Sequence, residues 1–155
     1  MAEVLAATYA DVFDAVGIHS GLPYKAAGDA PSAFAAMKGT AIAEPWPRLV
    51  GDSACRKIVF HGGADATVHP ANAQHILDQA RRGPDPLKQI DLDWEIDGGR
   101  VNRTILQDAA GRAIVEHWFV EGGGHAWFGG DARGTYTQNV GLDASRVMMR
   151  FFLKQ

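Results

Sequence analysis

Short apolar runs alternate with amphipathic helical patterns along this chain, an order typical of an α/β protein. Lys57 to His61 is a short, apolar and partly β-branched run between polar segments, which predicts a strand buried in a parallel sheet. From Pro70 to Arg82 the apolar residues recur at helical spacing behind an early proline, which predicts an amphipathic helix. The inward stripe of that helix is expected to be Ala73, Ile76, Leu77 and Ala80.

The N-terminal part predicts two short helices on either side of one strand. Alanine and leucine favour a helix from Ala2 to Tyr9, and an alanine-rich helix from Pro31 to Met37 has Asp29 as its expected cap. Between them, Phe13 to His19 predicts a short buried strand that ends in the turn Ser20 to Pro23.

Three extended segments in the second half of the chain predict an antiparallel meander. Tight-turn sequences join them, Asp97-Gly98-Gly99 after the first segment and Asp108 to Gly111 after the second. The segments are Ile90 to Ile96, Val101 to Gln107 and Ala113 to Val120. Asp143 to Lys154 predicts a closing helix with one apolar face. That face consists of Ala144, Val147, Met148, Phe151 and Phe152.

Composition narrows the class of protein. The 155 residues fit one domain, 1–155, with the 46% hydrophobic and 21% charged content of an ordinary globular protein. A net charge of −3 and the absence of a basic tract argue against a nucleic-acid partner. No apolar run reaches the roughly 18 residues of a membrane span, and the first residues lack the basic region of a signal peptide. Cys55 is the single cysteine, so no internal disulfide forms, and it is expected to be a buried thiol.

Two glycine-rich turns carry the candidate chemistry. Gly122 to Trp127 reads Gly-Gly-Gly-His-Ala-Trp and follows an apolar strand, which places His125 where small residues let a ligand approach. Asp65 lies on the glycine turn that follows the strand at Lys57 to His61. An aspartate and then a histidine on successive strand-end loops match the last two members of a Ser-Asp-His triad in α/β-hydrolase order. A turn aspartate bonded to its own backbone and a surface-loop histidine are the simpler alternatives.

Other polar residues fit known chemistry less well. The spacing of His61, His69 and His75 matches no common zinc pattern, so no metal and no cofactor are expected. The triple glycine neither opens a helix nor has the dinucleotide-binding spacing. Ser20 stands at a strand end, but Ile18 replaces the glycine that a nucleophile elbow needs, so Ser20 is expected to line the pocket.

The four tryptophans divide between core and pocket. Trp127, two residues after His125, is expected to wall the substrate pocket, whereas Trp46, Trp94 and Trp118 are expected in the core. Trp46 lies between two prolines in a stretch, Thr40 to Ser53, that predicts a loop.

Blocks that follow one another through nearly the whole chain carry a family resemblance. They are Val4 to Tyr9, Val12-Phe13, Val16 to Tyr24, Val59 to Gly62, Asp65 to Pro70, Asp108 to Arg112, Glu116 to Trp118, Gly124 to Trp127, Asp143 to Arg146 and Phe151-Phe152. With these blocks the chain resembles the polyhydroxybutyrate depolymerase and feruloyl-esterase branch of the α/β-hydrolases. The resemblance implies secreted or periplasmic esterases with a Ser-His-Asp triad and no metal. Asp65 matches the family aspartate and His125 the family histidine.

The resemblance also implies that part of the enzyme lies outside this chain. None of Ser20, Ser32, Ser53 and Ser145 stands in a Gly-x-Ser-x-Gly elbow, and the family elbow precedes the helix that begins here at the first residue. The expected fold is therefore the C-terminal portion of an α/β-hydrolase without its N-terminal strands, inactive on esters unless an N-terminal half complements it.

Two consequences follow for partners. The strand at Phe13 to His19 would lack its neighbour, so a homo-oligomer through this exposed sheet edge is expected, or else a helix rearranged to cover the edge. The alternative to a hydrolase half is a non-catalytic remnant that serves as a binding or assembly module. Localisation stays open, because any export signal would lie upstream.

Overall fold

The computed structural model describes residues 1–40, 55–96, 99–131 and 133–153. The predicted loop around Trp46 and the turn residues Asp97 and Gly98 lie outside the described residues. The described elements follow in chain order: α1 (Ala2–Thr8), β1 (Ala15–His19), α2 (Ala30–Met37), β2 (Arg56–Gly62), α3 (Ala71–Arg81), β3 (Lys88–Ile96), β4 (Gly99–Gln107), β5 (Ala113–Val120), β6 (Trp127–Phe128), β7 (Thr137–Gln138) and α4 (Ala144–Leu153).

A mixed sheet of five strands in the order β1-β2-β5-β4-β3 forms the centre of the fold. β1, β2 and β5 are parallel neighbours, whereas β3, β4 and β5 form the predicted antiparallel meander. The fold is therefore α/β, as predicted. Because parallel strands point the same way, the carboxyl ends of β1, β2 and β5 meet at one edge of the sheet.

One face of the sheet is covered by α1 and α3. The predicted stripe of α3 is confirmed, since Ala73, Ile76 and Leu77 are buried and Ala80 is partly buried. Cys55 is a free, buried thiol in the same core, and burial raises its pKa. This core comprises Ala6, Val16, Ile18, Cys55, Val59, Ala73, Ile76, Leu77, Leu106, Ile114 and Val115.

The opposite face packs against α4. Gly17 in β1 lets this helix approach closely, because a side chain there would meet the Met148 sulfur at 2.8 Å. The predicted stripe of α4 is buried at Ala144, Met148 and Phe151 and partly buried at Val147 and Phe152. This second core comprises Ile58, Phe60, Val101, Val120, Phe128, Leu142, Ala144, Met148 and Phe151.

Polar contacts cap the start of α2 and join α1 to β2. Asp29 caps α2 as predicted, accepting from the Ser32 N–H at 2.8 Å within a capping box. The Glu3 carboxylate on α1 and the Lys57 ammonium on β2 form a buried ion pair at 2.7 Å, which the sequence pattern did not indicate.

None of the helices in the described ranges combines the length and apolar character of a bilayer-crossing segment.

Two sequence-based expectations were wrong in detail. β1 begins at Ala15 rather than at Phe13, because the Phe13 N–H bonds back to the Tyr9 carbonyl at the end of α1 and leaves the ring 37% exposed. Trp94, expected in the core, is 38% exposed because β3 is an edge strand. Its ring stacks on the partly buried Trp118 at a centroid distance of 5.6 Å.

Candidate active site

The turns after β2 and β5 meet at the carboxyl edge of the sheet, where these strands are direct neighbours. The Ala64 N–H on the first turn donates to the Gly123 carbonyl on the second at 2.9 Å. Gly62 makes this approach feasible, because a Cβ atom there would lie well inside van der Waals contact with the Gly123 carbonyl. The pairing of β2 with β5 therefore brings the turns of Asp65 and His125 together.

Asp65 is a buried carboxylate held by its own turn. Its Oδ1 accepts from the Thr67 N–H at 3.0 Å and the Val68 N–H at 2.8 Å, while its Oδ2 faces the His125 ring. Burial by itself raises the pKa of this carboxyl, but the Val68 N–H, the His125 ring, the Ser20 hydroxyl and the Thr67 N–H together outweigh it. The pKa of Asp65 consequently lies below its ordinary value, and the group is ionised at neutral pH.

His125 makes the partner contact to that carboxylate. Its Nδ1 lies 2.9 Å from Asp65 Oδ2, and 38% of its side chain is exposed. Because the carboxylate only accepts, Nδ1 carries the proton in the neutral ring and Nε2 keeps a free lone pair. The Gly124 N–H donates to the Gln138 Oε1 at 2.9 Å and fixes the loop. Gln138 on β7 had no signal in the sequence, because only the tertiary fold brings its side chain to Gly124.

His61, one of the three histidines weighed as a zinc set, supports the Asp65 turn. It is fully buried, its Nε2 donates to the Val68 carbonyl at 2.8 Å, and the same nitrogen lies 3.6 Å from Asp65 Oδ2. Burial lowers its pKa. His69 instead lies exposed, with its Nδ1 accepting from the Ala71 N–H, and His75 lies on α3. Within the described ranges, no three His, Cys, Asp or Glu side chains are arranged to hold a metal ion.

A cavity of about 360 Å³ opens beside the exposed side of His125. Both residues predicted to form the pocket, Trp127 and Ser20, line it. The Trp127 ring is 38% exposed, and its Nε1–H donates to the Ser145 Oγ at 3.1 Å. The remaining lining comes from His19, Ala126 and Tyr136, of which His19 and Tyr136 were not predicted as site residues.

Ser20 has an unusual backbone for a residue other than glycine. It follows β1 with φ of 49°, in the left-handed region, and it is 7% exposed. Its buried hydroxyl makes no well-aligned hydrogen bond with a described residue, yet it lies close enough to lower the pKa of Asp65. Strain of this kind at a strand end is common in ligand-binding sites.

None of the serines in the described ranges is hydrogen-bonded to His125. Ser32 belongs to the cap of α2, and the Ser145 hydroxyl accepts from the Trp127 indole. Ser53 lies outside the described residues.

Comparison with known proteins gives one relationship. No protein-family model matches the chain. The chain is 33% identical over 138 residues to poly(3-hydroxyalkanoate) depolymerase C of Paucimonas lemoignei, an alignment that covers 81% of this chain. It spans 32% of the length of that protein. The depolymerase part of the expected resemblance is thereby confirmed, and the chain is a distant relative of this poly(3-hydroxyalkanoate) depolymerase.

Proposed function

We propose that the chain supplies the acid and base of a carboxylic-ester hydrolase that cleaves 3-hydroxyalkanoate esters. The contact that carries the proposal is the 2.9 Å pairing of His125 Nδ1 with the buried Asp65 carboxylate. The cavity beside His125 supports it by offering room for the reacting ester. The relationship to a depolymerase supports the substrate class, and the feruloyl esters of the wider resemblance are a second class to be assayed.

The proposed chemistry is acyl transfer to a serine oxygen. The serine hydroxyl attacks the ester carbonyl, a new carbon–oxygen bond forms, and His125 Nε2 takes the hydroxyl proton. The resulting imidazolium is stabilised by the Asp65 carboxylate and then protonates the departing alkoxide oxygen. Water then attacks the acyl-enzyme carbonyl and gives a proton to His125 Nε2; the bond between the acyl carbon and the serine oxygen breaks, the serine regains its proton from the imidazolium, and the carboxylic acid leaves.

A partner segment provides the serine in this proposal. The chain has no Gly-x-Ser-x-Gly sequence, and none of its described serines bonds to His125. Loss of the nucleophile from a serine hydrolase lowers the rate by about a millionfold. We therefore expect no useful esterase activity from this chain alone.

The free side of β1 is the proposed docking edge for that segment. Among the described strands β1 pairs with β2 alone, so its other edge presents unpaired backbone groups. In an α/β-hydrolase the strand that precedes the nucleophile would occupy this position. A second copy of the chain is the alternative occupant, which would give the expected homo-oligomer.

Co-expression with a separate N-terminal segment that carries a Gly-x-Ser-x-Gly elbow tests the proposal. We expect cleavage of a chromogenic short-chain 3-hydroxyalkanoate ester that disappears in His125→Ala and falls sharply in Asp65→Asn. His69→Ala is the matched control, because this exposed histidine lies outside the cavity. Turnover by the chain alone that depends on His125 would refute the need for a partner.

The second candidate function is a binding or assembly module without catalysis. The unpaired edge of β1 favours it, because that edge can recruit a strand whatever chemistry follows. A complex that forms with the N-terminal segment, retains the His125–Asp65 contact and cleaves no ester would favour this function over hydrolysis.

A further inference from the structure

His19 lines the same cavity as His125, the candidate base. Its imidazole stacks on Trp127 at a centroid distance of 4.9 Å and on Phe60 at 5.8 Å. The edge of Phe128 packs against it at 4.6 Å. Three aromatic neighbours therefore fix the plane of the His19 ring.

A hydrogen bond then fixes which nitrogen carries the proton. The Phe128 N–H donates to His19 Nε2 at 3.2 Å, so Nε2 must be unprotonated. A neutral ring of this kind has its proton on Nδ1. None of the described residues accepts a hydrogen bond from Nδ1, and the ring lines the cavity. Nδ1 is therefore an N–H donor without an acceptor among the described residues, on a ring that lines the cavity.

The neutral state of this ring is stabilised by its surroundings. Burial, together with the smaller effects of the neighbouring His61 and His125 rings, lowers the pKa of His19 to about 4, and the Asp65 carboxylate opposes this shift only weakly. At neutral pH the His19 ring donates without placing a positive charge beside His125. A neutral imidazole is suited to donate to an uncharged carbonyl or hydroxyl oxygen.

We propose that His19 is a ligand-binding residue whose Nδ1–H donates to an oxygen of the ester in the cavity, while its Nε2 anchors the loop that carries Trp127. This inference rests on the proposed function for the identity of the ligand. The donor and its tautomer do not depend on hydrolysis, so they can be tested on the chain alone.

The first experiment determines the tautomer and the contact. In protein labelled with ¹⁵N at histidine, long-range ¹H–¹⁵N spectra at pH 7 should show the His19 proton on Nδ1. Titration with ethyl 3-hydroxybutanoate should then shift the Nδ1 signal of His19 more than either nitrogen of His69. A proton on Nε2, a charged ring, or an unshifted Nδ1 at the solubility limit of the ester would overturn the inference.

Two substitutions separate the donor from the anchor. Asn in place of His19 puts an amide near the position of Nδ1, whereas Gln puts one near the position of Nε2. A ligand-binding donor predicts that His19→Gln binds the ester about three- to tenfold more weakly while His19→Asn retains most of the affinity. A purely structural role predicts the reverse order, because Gln would retain the bond from the Phe128 N–H.

Ester cleavage by the complemented protein distinguishes the two proposals. If the complemented wild type cleaves the ester and His19→Gln has an unchanged KM, the His19 inference fails and the proposed function stands. If the complemented wild type cleaves nothing, the proposed function fails, and the nitrogen spectra with the Asn and Gln pair still decide whether His19 binds the ester.

Discussion

The buried ion pair between Glu3 and Lys57 supports the strand from which the site extends. Its charged atoms lie 2.7 Å apart, and the two side chains are 3% and 4% exposed. The second carboxylate oxygen, Glu3 Oε1, is buried and has no hydrogen-bond partner among the described residues. Because β2 ends in the turn of Asp65, loosening α1 from this strand would weaken the support of the site.

Removing one charge of the Glu3–Lys57 pair should lower the free energy of unfolding. Glu3→Gln leaves the Lys57 ammonium buried without a counter-charge, and breaking a buried pair from one side costs about 3–5 kcal/mol. For a domain of this length that loss lowers the unfolding midpoint by about 6–20 °C. Replacing both residues with methionine removes both charges together with their desolvation cost, so most of the stability should return.

Urea unfolding followed by tryptophan fluorescence and by far-UV circular dichroism measures these differences. The exposed pair of Asp78 and Arg81, whose side chains are 41% and 34% exposed, provides the control. Asp78→Asn should change the unfolding free energy by less than about 1 kcal/mol. A loss below about 1 kcal/mol in Glu3→Gln, or a double variant no more stable than the single one, would refute the reasoning.

Three further predictions concern the site and its surroundings. Gly62→Ala should lower the free energy of unfolding by about 1–3 kcal/mol and separate the turns of Asp65 and His125, because the new methyl group would meet the Gly123 carbonyl. Urea unfolding and histidine NMR measure the two effects, and Gly28→Ala is the control because a Cβ atom there meets no atom within 4 Å. Burial lowers the pKa of His117 from 6.5 to about 4. The contribution of the neutral ring to the free energy of unfolding should therefore be complete above pH 6.5 and be lost as the pH falls towards 4. His117→Phe should lose less unfolding free energy than the wild type over that pH interval. The pKa of Asp65 lies below 3.8, so the contribution of its carboxylate to the free energy of unfolding is present above that pH and disappears as the pH falls through the lower pKa of the folded state. Urea unfolding of Asp65→Asn should therefore show a smaller loss of stability in acid than the wild type.

The elements in which hydrophobic residues recur at a regular spacing were predictable, because that pattern can be read within a short stretch of sequence. The buried run at Lys57 to His61, the stripe of α3 and the meander from β3 to β5 each follow from alternation or helical spacing within a few residues. The approach of Asp65 to His125 was predictable indirectly, since an aspartate and then a histidine on successive strand-end loops match the triad order of an α/β-hydrolase. Their separation along the chain is irrelevant once β2 pairs with β5.

The contacts that the pattern did not reveal depend on tertiary packing. His19 resembled an ordinary strand-end histidine until its ring was found between Phe60 and Trp127. Tyr136 lines the cavity from a loop whose backbone has a positive φ of 62°, a conformation that tyrosine rarely adopts. The ion pair of Glu3 with Lys57 joins a helix to a strand that is not its neighbour in sequence.

The geometry of the His125–Asp65 pair depends on β2 and β5, and both strands belong to this chain. Their pairing, the Ala64–Gly123 bond and the Asp65 turn together place the His125 ring without contribution from any strand beyond the free edge of β1. β1 adds His19 and Ser20 to the same cavity, and its other edge is where the proposed partner strand would dock. The boundary between this chain and its proposed partner therefore lies between strands and leaves the His–Asp pair intact. For that reason supplying the partner segment is a more decisive experiment than any single substitution within the chain.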